Sequence, residues 1–278
     1  MKQVLATGVA LSMALSMAPV TASAADKVDI NVIAAQYGQQ TADWWANFVT
    51  EFNEANPDIN LNVEVVSWND IYTVVNTRIA NGEAPDVLNI DVFADYQADD
   101  LLLPIQDVVS EETYSKMYDA FLAQSEVDGT VWAIPDLASA RAMYYNKDIL
   151  DAAGVEVPTT WDEFEEVLQK LSDAGIQPLT TGGSDKWGAT RLINAYAVRT
   201  AGNDIMTKAA DGEVPYTDEK LVAAADKIAE WAEKGYFGEG ITTVDMNTAG
   251  SMLMSGKAAI FYNGSWFTQN LTDDSQNP

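Results

Sequence analysis

Three tryptophans stand where a flat ring can meet a ligand. Trp44 lies off the helical stripe of Trp45, Phe48 and Phe52, Trp187 sits in a glycine-bearing loop spanning residues 181 to 189, and Trp266 ends the last strand signal. An indole face suits a molecule with a flat C–H patch, whose polar edge then needs donors and acceptors set around a rim. Candidates for that rim are Gln36, Asp91, Asp136, Ser139, Asp185 and Asn263, with Arg141 close by, and each competes with a plain reading as a solvated loop residue. The other tryptophans weighed read as packing: Trp45 and Trp231 lie on apolar helical stripes, and Trp68 and Trp161 stand at helix starts. Asp91, Asp136 and Asp185 offer a second chemistry, that of paired carboxyls acting as general acid and base.

Much chemistry is excluded by composition. The sequence of 278 residues holds no His and no Cys. Zinc sites of Cys/His type, thiol nucleophiles and a Ser-His-Asp arrangement are therefore absent. Asp99-Asp100 and Asp273-Asp274 lack the spaced oxygens and turn glycine of a calcium loop, so no metal and no cofactor is expected. With 42 acidic against 15 basic residues the net charge is −27, which disfavours nucleic acid and anionic membranes and favours neutral or cationic solutes. At 47% hydrophobic and 21% charged residues the chain has the composition of a folded protein.

Residues 1–25 read as a Sec leader: Lys2, an apolar run from Val4 to Ala18, Pro19, and small residues Ala22-Ser23-Ala24 before a cleavage point. The spacing then predicts a strand from Val28, a helix carrying Trp45, Phe48 and Phe52, a strand through Leu61, Val63 and Val65, a helix carrying Ile71, Val75 and Ile79, and a strand through Val87 to Ile90. This alternation argues a parallel α/β layer, and in such layers ligands gather beyond the carboxyl ends of the strands. Residues 36 to 41 and 91 to 93 fall there. Further on, helices are expected at 147–153, after Thr160 with Glu163 closing a capping box, from Leu192, after a cap at Thr217, and at 248–254. Strands are expected at 130–134, 140–145 and 178–180 and before Trp266.

A long ordered string fixes the reading. Gly129-Thr-Val-Trp-Ala-Ile-Pro135, then Tyr144-Tyr-Asn-Lys-Asp-Ile-Leu150 with Ala153-Gly-Val155, then Pro158-Thr-Thr-Trp-Asp-Glu-Phe164 resembles the middle of a family 1 extracellular solute-binding protein, the sugar-capturing receptors of ABC importers. Ala84-Pro85-Asp86-Val87 and Gly256-Lys-Ala-Ala-Ile260 with Asn263-Gly-Ser-Trp266 add to the likeness.

The resemblance implies a two-lobed α/β fold of the periplasmic-binding-protein kind (type II), with parallel or mixed sheets flanked by helices. It divides the chain into the leader 1–25, a first lobe 26–135 and a second, incomplete lobe 136–278. It implies stacking aromatics at Trp187 and Trp266 and ligand-binding side chains near Asp91 and Ser139, although Ser139, flanked by two alanines, replaces the carboxylate or aromatic common there. A monomer is implied that binds a carbohydrate, hands it to membrane permease subunits and works in the periplasm or outside the cell, without the Cys used for lipid attachment. Because family members continue further, the 278 residues read as a fragment. The competing function is a secreted carbohydrate-active enzyme, needing two carboxyls about 5–9.5 Å apart.

Overall fold

The computed structural model describes residues 27–37 and 40–272, so the leader read at 1–25 and Asp273-Asp274 lie outside the described residues. In the first strand, β1 (Val28–Ala35), Val32, Ile33, Ala34 and Ala35 are all buried. A continuous buried run marks a strand covered on both faces, as at the centre of a parallel layer. Helix α1 (Ala42–Ala55) follows, with Thr41 Oγ1 accepting from the Trp44 N–H at 3.2 Å, then β2 (Ile59–Val66), α2 (Ile71–Ala80) and β3 (Val87–Asn89). The sheet order is β2-β1-β3, both pairings parallel, with Val32 opposite Val63 on one side and Val87 on the other. The parallel layer expected from the alternating pattern is present.

Four short helices continue the chain: α3 (Ala94–Ala98), α4 (Ile105–Val108), α5 (Glu111–Tyr114) and α6 (Asp119–Leu122). A two-residue hairpin of β4 (Glu126–Val127) and β5 (Thr130–Val131) turns at Asp128 and Gly129, both with positive φ, 51° and 79°. That geometry is what a tight hairpin asks of an Asp-Gly pair. The strand expected to reach residue 134 stops at Val131, because beyond it the chain has no ladder partner through residue 140.

The second sheet is β6-β8-β7: β6 (Arg141–Tyr145) runs antiparallel and β7 (Gln177–Thr180) parallel to the central β8 (Ala258–Gly264). Helix α7 (Lys147–Ala153) ends on Gly154 in the left-handed conformation, φ 66°. The capping box of α8 (Trp161–Asp173) forms as read, with Glu163 N–H donating to Thr160 Oγ1 at 3.2 Å and Thr160 N–H returning to Glu163 Oε2 at 3.3 Å. Next come α9 (Trp187–Ala201), α10 (Ile205–Ala210), α11 (Glu219–Glu233), α12 (Met246–Met254) and, after Trp266, α13 (Thr268–Thr272). Trp231 is fully buried and packs on Phe164 at 5.4 Å and on Trp161 and Tyr196 at 6.0 Å.

Three expectations change. The helix read from Leu192 begins at Trp187, which places that tryptophan on a helix and not in a loop. Asp218, not Thr217, caps α11, accepting from Lys220 N–H at 2.9 Å; a carboxylate there also meets the positive end of the helix dipole. The α1 stripe is not core: no residue of that helix is buried and Phe48 is 39% exposed.

Candidate functional site

At the carboxyl ends of β1 and β3 two tyrosines and Asp91 gather, and Asp136 joins them from the segment after β5. Tyr37 follows β1 and meets Trp68 edge to face at 5.2 Å. Tyr72, second residue of α2, donates to Asp91 Oδ1 and accepts from the Val92 N–H at 3.2 Å. Asn89, the last residue of β3, donates to Asp136 Oδ2 at 2.9 Å and so ties the segment after β5 to this rim. Burial, then the charges of Asp136 and Asp91, push the Tyr37 hydroxyl up to about 12. Tyr72 is raised too, by burial and by its bond to Asp91. Both therefore stay neutral donors across the physiological range.

The second lobe offers an aromatic and cationic wall. Trp187 opens α9 and Trp266 follows β8; their rings lie 6.3 Å apart, tilted at 59°. The Arg141 guanidinium covers both, its Cζ 4.4 Å from the Trp266 ring centre and 5.5 Å from that of Trp187. Trp266 folds back over the end of its own strand because Gly264 has no side chain: a Cβ there would sit 2.1 Å from the indole. Burial lowers the Arg141 pKa, the neighbouring Arg191 charge lowers it further, and Tyr262 and Asp91 oppose both. Asp91 follows β3 of the first sheet and Arg141 begins β6 of the second, so the charge of one wall acts on the other.

The residues expected from sequence fall into groups. Asp91, Asp136, Trp187 and Trp266 line these walls, Trp266 with 36% of its surface exposed. Gln36 is exposed beside Tyr37, and Ser139 is exposed in the extended segment before β6. Trp44 joins its own helix, stacked on Phe48 at 5.5 Å and edge-on to Trp45 at 4.9 Å. Asp185 Oδ2 accepts from the Met246 N–H at 2.7 Å and so holds the start of α12. Asn263 is 4% exposed, with Oδ1 accepting from the Gly264 N–H at 2.8 Å. Sequence reasoning missed Tyr72, Asn89 and Arg191 and took Trp68 as structural. Tyr37 sat inside the turn assigned to the mouth; Arg191 would have emerged from starting the helix five residues earlier, at Trp187.

Among the described residues no group of three or more acidic side chains is placed to hold a metal ion, and no helix is long and apolar enough to cross a membrane.

Comparison with known proteins gives the family and the fold. A family described as bacterial extracellular solute-binding protein matches residues 37–278. A probable sugar-binding periplasmic protein of Rhizobium meliloti (strain 1021) is 28% identical over 274 residues, covering 91% of this chain and 61% of the relative. A putative binding protein of Brucella abortus (strain 2308) is 26% identical over 259 residues, 92% of this chain and 62% of that one. The chain thus spans about three fifths of the length of these relatives. Among solved structures, a chitin oligosaccharide binding protein superposes with a TM-score of 0.81 at 24% identity, covering 91% of this chain and 65% of its own. A structure reported with xylan utilization by a thermophilic Caldanaerobius also gives 0.81, at 21% identity and covering 90% and 64%. The chain is similar to these in fold, that of two-lobed solute-binding proteins. With the family matching most of its length, this chain belongs to the bacterial extracellular solute-binding proteins.

Proposed function

We propose that this chain is the ligand-capturing receptor of an ABC importer, taking a sugar or oligosaccharide between its two lobes and passing it to a membrane permease. The observation that supports this most is the pairing of the walls: two tryptophans beside Arg141 on one lobe, and tyrosines, carboxylates and Asn89 on the other. A saccharide ring lays its C–H face on Trp187 and Trp266 while its hydroxyls meet Asp91, Asp136 and Tyr37. A hinge at the element-free segment 132–140 lets the ligand draw the lobes together, and the closed form docks on the permease. Both walls come from one chain, so one copy suffices. The leader read at 1–25 directs export, which fits the sugar-binding periplasmic relatives.

A hydrolytic reading has less support. Asp91, Asp136 and Asp185, the carboxyls such a reading would use, each already serve a fixed hydrogen bond within the chain.

A melting screen against mono- and oligosaccharides, with the ligand recovered afterwards, tests the proposal. Ligand at about a hundred times its Kd should stabilise by roughly 2.7 kcal/mol. A shift with intact sugar supports a receptor; cleaved sugar, or no shift with any saccharide, contradicts it. Gly264→Ala sharpens the test by displacing the Trp266 ring, and should weaken binding by about three- to ten-fold, the worth of one aromatic stack.

A further inference from the structure

Three of the four arginines in this sequence converge on one place. Arg141 begins β6 opposite Gly264, and two residues along the same face Met143 lies opposite Tyr262. Directly opposed residues in an antiparallel pair point to one side, so Arg141 and Tyr262 share a face of the sheet. Trp187, Arg191 and Arg199 lie on one ridge of α9 at spacings of four and eight, and Ile193 and Tyr196 of the same helix pack against the core cluster that Tyr262 also packs against. Burial raises the Tyr262 hydroxyl, and the charges of Arg141, Arg191 and Arg199 pull it back.

Among the described arginines these three differ from Arg78 in lacking an acidic partner, a lack they share with Lys27, Lys170, Lys186, Lys220 and Lys257. Arg78, the fourth arginine, holds two carboxylates, Glu64 at 2.9 Å and Glu83 at 3.0 Å. Lys116, Lys147, Lys208, Lys227 and Lys234 are also paired. Yet among the described residues no ion pair joins Arg141, Arg191 or Arg199 to an acid, in a chain with 42 of them. Arg199 has a local explanation, since it stands in the last turn of α9 and complements the helix dipole. Arg141 has the Trp266 and Trp187 indoles beneath its guanidinium, which take up its flat face but accept none of its N–H donors, and Arg191 has neither explanation. Arg141 and Arg191 are exposed and near enough for one charge to oppose the other, and a bridging anion turns that repulsion into attraction with the bidentate geometry arginine provides.

The geometry points to an anion subsite: Arg141 and Arg191, beside Tyr262 and the Trp187/Trp266 pair, select a saccharide bearing a carboxylate or phosphate. The inference rests on the receptor reading above and names its substrate class. The ring stacks on the indoles and its anionic group meets the two forks. Such local recognition is needed because the net charge of −27 repels anions at long range.

The test is calorimetric, on the whole secreted chain, with matched pairs: trigalacturonate against its methyl ester, glucuronate against glucose, and glucose 6-phosphate against glucose. At least one acidic member should bind at least about ten-fold more tightly than its neutral partner. Preference for the uronates names a carboxylate and preference for the phosphate names a phosphorylated sugar; either supports the subsite. Arg191→Gln should then close most of that gap while its melting temperature stays near that of the unmodified chain. The wild-type comparison stands even if the variant folds poorly. Equal or tighter binding of a neutral member overturns the subsite and leaves the receptor intact. Failure of every pair, while the wider screen finds another saccharide, also overturns the subsite alone; failure of both overturns the receptor reading with it.

Discussion

Helices α1 and α11 have similar length, 14 and 15 residues, and both carry an apolar stripe that includes tryptophan, yet they end differently. Leu221, Ala224, Ile228 and Trp231 of α11 are buried, whereas α1 has no buried residue and leaves Trp44 40% exposed. The periodicity is of the same kind; the partners are not. Helix α11 meets α9, and Trp231 also reaches Trp161 and Phe164 of α8. Helix α1 lies on β2, an edge strand of a three-stranded sheet whose far strand is three residues long. An apolar stripe reports which face seeks cover, and the width of the neighbouring layer decides whether cover exists.

The largest effect that sharpens this contrast is Trp231→Ala, which should cost about 3–5 kcal/mol by opening a cavity in the second lobe. Chemical denaturation measures it. Trp45→Ala, half-buried on α1, should cost about 1–2 kcal/mol, and an equal loss at both tryptophans would break the comparison. Thr160→Ala, which removes the α8 cap, should cost about 1 kcal/mol in the same experiment.

The smallest effect concerns alkali and belongs to the first lobe. The Tyr37 hydroxyl is raised to about 12 from 10.0, so its contribution to stability is full below pH 10 and disappears as pH climbs through about 12. Tyr37→Phe should therefore flatten the stability profile in that window, followed by melting temperature. An unchanged slope would show that Tyr37 titrates like a solvent-exposed tyrosine.

How much was legible in the sequence follows from the range of each interaction. Local signals carried through: the Thr160/Glu163 box, the Gly154 stop and the alternation behind the parallel layer depend on neighbours a few residues apart. The site was half legible. Trp187, Trp266 and Asp91 sit at or next to element ends, and Asp136 lies in the connection between β5 and β6, where chain order alone suggests a mouth. Tyr72 and Arg191 were hidden because they lie inside helices and acquire meaning only from partners 19 residues away, at Asp91, or across the sheet, at Arg141. Asn263 misled for the opposite reason: strand alternation could not show that its amide would turn back onto the next backbone N–H.

The central claim is that a ligand is held by both walls at once. It is tested most directly by titrating the saccharide that gives the largest melting shift into the unmodified chain, Asp91→Asn and Trp266→Ala, with melting curves as fold controls. If the account holds, each variant weakens affinity by about three-fold or more, because one acts on the first lobe and the other on the second. Full affinity retained in either variant would place the ligand on one wall alone and contradict capture between the lobes.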